Sequence, residues 1–147
     1  MDLPPGLTLS IEDAPAEADV EVLPDGLEAY NERQWPGHQP WETLGVFIRR
    51  DARVVAGLTG ESYAGWFFIR YFWIDEALRR QGLGRQLIAA AEQRARERGC
   101  HGVYVDTFSF QAPEFYRKQG YEVFGRLPYP PKGERLFLRK ALQPFGT

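Results

Sequence analysis

The chain is 147 residues long, enough for one domain whose core needs no metal or disulfide staple. Hydrophobic residues make up 44% and charged residues 26%, a balance that excludes a disordered or membrane-embedded chain and suits a water-soluble globular one. Net charge is −2, but residues 1–33 carry nine carboxylates against one base, Arg33, so this part is −8 and the remainder +6, which suggests a cationic partner near the early part and an anionic one on the later part.

The opening MDLPPGLTLS has neither a basic start nor a long apolar run and does not read as a secretory leader. No stretch approaches the ~18 apolar residues of a membrane span. The alternation of Leu7, Leu9 and Ile11 predicts a first strand. The segment APAEADVEV is ambiguous, and LPDGLEAYNERQ predicts a helix with Pro24 near its start. WPGHQPW is a loop, broken by two prolines and a glycine. TLGVFIRR and RVVAGLTG, separated by Asp51 and Ala52, predict a β-hairpin. GWFFIRYFWID is the most apolar run and predicts a central strand buried on both faces.

A helix is expected from about Leu83, with Leu87, Ile88, Ala91 and Ala95 on its apolar face and RARERG as a basic last turn ending in glycine. HGVYVDTFSF predicts a strand and APEFYRKQG a short helix, with Pro113 in its first turn and Gly120 as its stop. YEVFGRL and ERLFLRKAL form a last hairpin across PYPPKG. The order predicts a mixed α/β sheet with an antiparallel start and a parallel, right-handed strand–helix–strand crossover over residues 66–110.

The chemistry concentrates in RRQGLGRQL, residues 79–87. Gly82 and Gly84 permit backbone conformations barred to other residues and let a ligand approach closely. A helix N-terminus adds about half a positive charge and unpaired N–H donors. Arg79, Arg80 and Arg85 add mobile positive charge. The combination reads as an anion site for a phosphate or pyrophosphate. It is not a dinucleotide fingerprint, whose third glycine position is Leu87 here, nor an ATP or GTP loop, which ends in G-K-[ST].

RRQGLG resembles the R/Q-x-x-G-x-G/A signature of the GNAT superfamily of acyl-CoA-dependent N-acetyltransferases, anchored on Arg79. APEFYRKQGYEVFG resembles that family's second signature, a short helix carrying a tyrosine before a final hairpin. PPKGE stands where a related bacterial subgroup often shows a Gly-His pair. The resemblance covers residues 43–142 well. It implies a single acetyltransferase domain over residues 1–147, with a central, mostly antiparallel mixed sheet, splayed central parallel strands and flanking helices. It implies acetyl-CoA as cosubstrate and a primary amine as acceptor, a small cationic amine or a protein amine, attacking directly in a ternary complex. Backbone amides of Arg80, Gln81, Gly82, Leu83, Gly84 and Arg85 would cradle the pyrophosphate. Pantetheine would pair with Trp73, Ile74 and Asp75, and the Ile74 amide would meet the oxyanion. Arg117 and Lys118 would reach outer phosphates. Tyr116 would be the general acid.

Glu61, Asp75 and Asp106 are candidate general bases, Glu61 and Asp106 foremost, and a water relay would serve in place of any of them. Asp106 could instead bind Thr107, Ser109 or an arginine structurally. His38 reads as a solvated loop residue, and His101 as structural. Cys100, the sole cysteine, reads as a small buried hydrophobe, which disfavours an acyl-cysteine route and fits a reducing, cytoplasmic compartment. No metal spacing and no basic aromatic stripe for nucleic acid are present in the sequence. A homodimer is expected from the family resemblance. The competing reading is a non-catalytic acyl-CoA-binding module or sensor.

Overall fold

A computed structural model describes residues 2–143. It contains two compact units, Met1–Gly37 and His38–Thr147. Among the described residues no helix is long and apolar enough to cross a membrane.

In the first unit the expected strand at Leu7–Ile11 does not form, and these side chains are exposed. Alternation alone supplies no ladder partner. The stretch makes a local turn instead, Leu7 N–H donating to Pro4 at 3.3 Å. The helix α1 runs Glu17–Gln34, so it begins earlier than expected and takes Pro24 into its interior. Glu17 and Asp19 in the first turn and Arg33 in the last suit the helix dipole at both ends. Pro24 leaves one hydrogen bond of the helix interior unmade.

The second unit is a six-stranded sheet in the order β1-β2-β3-β4-β6-β5. The strands are β1 (Glu42–Arg50), β2 (Arg53–Tyr63), β3 (Trp66–Ile74), β4 (Gly102–Phe108), β5 (Glu122–Tyr129) and β6 (Gly133–Ala141). All neighbours are antiparallel except β3 and β4, the crossover pair, which are parallel as expected. The crossover helix α2 spans Leu83–Glu97, and α3 spans Pro113–Lys118. Leu87, Ile88, Ala91 and Ala95 of α2 pack on Leu58, Phe67, Ile69, Val103, Val105 and Leu138 of the sheet. This is the core, built on the helical spacing legible in the sequence. Glu92 is buried on the same helix. It accepts from Tyr121 Oη at 2.7 Å and Lys140 Nζ at 2.9 Å, which ties α2 to the final hairpin.

Strand β3 corrects the expectation of burial on both faces. Phe67 and Ile69 are buried, but Tyr71 and Trp73 are 71% and 53% exposed. The cause is short pairing. Strand β4 accompanies β3 only from Trp66↔Gly102 to Ile69↔Val105. At that point β3 bulges against β2, the register passing from Gly60↔Ile69 to Thr59↔Tyr71 with Arg70 as the extra residue. A bulge bends its strand and raises the local twist, and here it turns β3 away from β4. The apolar run therefore lines a gap as well as a core.

Candidate active site

Strand β3 ends at Ile74, and a short 3₁₀ turn over Glu76–Leu78 leads to the RRQGLG segment. Arg79 folds back, its Nε donating to Ile74 O at 3.1 Å. Arg80 takes φ +66° and Gly82 φ +78°. A left-handed arginine costs roughly 1–2 kcal/mol, strain of a kind that collects at ligand-binding turns. Alternating hands in successive residues turn the peptide N–H groups to one side. Gly82 then caps α2 without any side-chain hydrogen bond. The six amides from Arg80 to Arg85 donate to no acceptor among the described residues; the first bond of the segment is Gln86 N–H to Gly82 O, 3.3 Å.

The segment borders a hollow of about 320 Å³ lined by Ile74, Leu78, Arg79, Arg80, Gly82–Arg85, Phe115 and Gln119, and Gln81, expected in the cradle, lies outside this lining. Gly84 differs from the sequence expectation. It is buried, its φ is not positive, and an added Cβ would lie 3.1 Å from the Phe115 ring and 3.3 Å from Ile74 Cδ1. Its small size seats α2 against α3 and β3. Arg117 and Lys118 lie outside this lining, and Arg117 pairs with Glu114. Phe115 and Gln119 stand there instead, on the face of α3 that sequence reasoning did not assign.

The gap between β3 and β4 forms a second hollow of about 360 Å³, lined by residues of both strands and by Gln111, Ala112 and Tyr116. Asp75 N–H donates to Val55 O of β2 at 3.0 Å. By the alternation of an antiparallel ladder Trp73 also faces β2, so Phe72 and Ile74 turn their amides to the gap. Of the three residues expected to pair with a ligand arm, Ile74 alone has that orientation.

Tyr116 is buried, its ring edge-on to Phe72, Phe115 and Tyr121. Its hydroxyl makes no hydrogen bond to a described residue, while no buried side-chain oxygen or nitrogen among them is left without a partner. The hydroxyl therefore keeps access to the gap it lines. Burial, with the nearby Asp106 charge second, pushes its pKa up to about 12. It stays protonated across working pH, a hydrogen-bond donor.

Glu61 and Asp106 are each paired with an arginine, whereas the Asp75 side chain, just past the end of β3, makes no hydrogen bond or ion pair to a described residue. Glu61, buried on β2, receives Arg70 Nε at 2.9 Å and pairs with Arg70 Nη2. Asp106 is paired with Arg135 of β6, with Nε to Oδ1 at 3.1 Å and Nη2 to Oδ2 at 3.0 Å. Arginine, among the three partners open to Asp106, is the one it takes. His38 is buried, not solvated, with Nε2 3.0 Å from Tyr63 Oη. Cys100 is fully buried as expected, and burial raises its thiol pKa. Sequence reasoning missed Arg70. Its signal was present, the only charged residue in an otherwise apolar GWFFIRYFW run.

The family model described as "Acetyltransferase (GNAT) family" matches residues 9–121. An acetyltransferase of Agrobacterium fabrum, Atu2258, is 37% identical over 115 residues, which cover 78% of this chain and 82% of that protein. Blasticidin-S acetyltransferase of Streptomyces morookaense is 45% identical over 80 residues, 53% of this chain and 59% of that one. The 1.9 Å crystal structure of an acetyltransferase from Bacillus cereus is similar with a TM-score of 0.79 at 32% identity, over 90% of this chain and 98% of that chain.

Proposed function

The chain belongs to the acetyltransferase (GNAT) family and is an acetyl-CoA-dependent acetyltransferase, and from that premise we propose that it acetylates a primary amine of a small molecule by direct attack in a ternary complex. The observation that carries this reading is the row of six uncommitted amides, Arg80–Arg85, at the mouth of the parted sheet. They fit a diphosphate, with Arg79, Arg80 and Arg85 adding charge. The similarity to a relative named for acetylating blasticidin-S supports a small-molecule acceptor. The same reading treats the whole chain as one catalytic domain, with every assigned residue in the unit His38–Thr147.

Bound acetyl-CoA supplies an activated thioester carbonyl. The gap-facing amides of Phe72 and Ile74 hold its arm as an added strand would be held, and Ile74 N–H stands ready for the oxyanion. An amine of pKa ~10.4 is free base in about one molecule in 2,500 at neutral pH. Asp106 lines the gap and orients the ammonium, and the proton leaves through water. Glu61 is held under Arg70 and acts by positioning it. Tyr116, pushed up to about 12, would give its proton fully to a thiolate of pKa ~8.5 only at a cost of roughly 5 kcal/mol. It therefore serves as a hydrogen-bond donor to the departing sulfur.

The test is incubation with acetyl-CoA and a panel of primary amines. Amine-dependent thiol release, with one acetyl group added to the amine by mass, is expected. A protein that binds CoA yet releases no thiol with any amine would be the non-catalytic module instead.

A further inference from the structure

We propose that the acceptor is a small amine that also carries a carboxylate, and that Arg70 selects it by receiving that carboxylate. This rests on the acetyl-transfer reading and deepens it.

The bulge that parts the sheet lies at Arg70. In such a bulge two successive side chains share one face of the strand. Phe72 and Ile74 pack on the core beside α2, whereas Arg70 and Tyr71 are exposed. Arg70 lies on the face opposite α2 with Phe68, two residues before it, and the bulge adds Tyr71 to that face; the Arg70 guanidinium lies 5.2 Å from the Phe68 ring centre. Arg70 and Asp106 line the same hollow, from β3 and β4 respectively.

The Arg70–Glu61 pair is unequal. The Glu61 side chain is 8% exposed and that of Arg70 is 48% exposed, so the pair shows the gap its positive pole. Glu61 takes one side of the fork, Nε and Nη2. Nη1 makes no hydrogen bond to a described residue. The free end, Nη1 with the second Nη2 hydrogen, is a geometry that a further carboxylate meets bidentately. Glu61 holds the fork rigid, so little side-chain freedom remains to be lost when a ligand arrives. Across the gap, Asp106 shows its carboxylate, held by Arg135 and 22% exposed.

One hollow thus offers a guanidinium from one wall and a carboxylate from the other. A zwitterion complements both. A purely cationic amine satisfies Asp106 but meets Arg70 with like charge. The acidity of residues 1–33 alone pointed to a cation; the cleft carries both signs.

The experiment compares matched amines with and without the carboxylate: lysine with cadaverine, 4-aminobutanoate with butylamine, and amino acids with their carboxamides. Thiol release gives kcat/KM for each with the unaltered protein and with Arg70→Gln. In at least one pair the unaltered protein should favour the carboxylate by tenfold or more, through KM, and Arg70→Gln should erase the preference. Because Arg70→Gln strands the buried Glu61, the double variant Glu61→Gln/Arg70→Gln is measured beside it, with CoA binding by calorimetry as the folding control. Acetylation without any preference for a carboxylate overturns the proposal. So does a preference that survives in a variant that binds CoA. Absence of acetylation of every amine, with CoA still bound, overturns the transfer reading itself and this proposal with it.

Discussion

Tyr116 shows how a single residue gains chemistry from its surroundings. Three aromatic neighbours fix the ring and leave the hydroxyl to the gap. Tyr116→Phe removes one hydroxyl and little volume. It should lower kcat more than tenfold while acetyl-CoA affinity stays within about twofold, read by thiol release and calorimetry. The raised pKa also has a stability consequence. Unfolded tyrosine titrates near 10, and folded Tyr116 at about 12. The contribution is complete below pH 10 and is lost as pH rises toward 12, because the unfolded chain releases the proton first. Tyr121 is raised in the same direction by burial and by Glu92. Urea unfolding of the unaltered protein should show a steep loss of stability above pH 10, and Tyr116→Phe should make that loss shallower.

At the scale of the element, the N-terminus of α2 depends on backbone hand more than on side chains. Gly82 has φ +78°, and an added Cβ would meet only Arg85 Nη2 at 3.6 Å. Space is free there, so the cost of Gly82→Ala is conformational, about 1–2 kcal/mol. Relaxing that strain would rotate the amides away from the hollow, and the CoA dissociation constant should rise more than tenfold. Gly99 gives the control at the other end of the helix. Its φ is +80° and no atom lies within 4 Å of an added Cβ. Gly99→Ala should cost similar stability in denaturant and leave CoA affinity unchanged. Equal effects of the two variants on affinity would mean that the loop's hand is irrelevant to the ligand. The β3 bulge is an element-scale device of another kind. Gly60 lies at that register shift, where an added Cβ would press into the Phe68 carbonyl and the Phe67 ring. The site opposite Arg70 thus tolerates glycine alone.

For the whole molecule, the donor should act as a stabiliser. Six N–H groups without a partner among the described residues are donors that a bound diphosphate can accept from. Saturation at a hundred times the dissociation constant adds about 2.7 kcal/mol to the folded state, roughly 5–10 °C in Tm for a domain near this size. Thermal unfolding with and without CoA checks this. The shift should shrink as ionic strength rises, since Arg79, Arg80 and Arg85 are exposed.

Much of this molecule was legible in order along the chain. The hairpin β1–β2, the start of α2 at Leu83, its buried positions, Pro113 in the first turn of α3 and the RRQGLG turn all follow from residues close in sequence. Backbone hand, capping and periodicity are short-range physics, so composition and spacing carry them. Where short-range signals failed, they failed for want of a partner. Leu7, Leu9 and Ile11 alternate with no strand beside them. The parting of β3 from β4, the bulge at Arg70, and the choice of Arg70 for Glu61 and of Arg135 for Asp106 were decided by tertiary structure alone. The parting of β3 from β4 and the Arg135–Asp106 pair depend on register between strands distant along the chain, and the Glu61–Arg70 pair on the register of the β2–β3 hairpin at its bulge. A one-residue slip in pairing moves every side chain to the opposite face, and no local pattern records it.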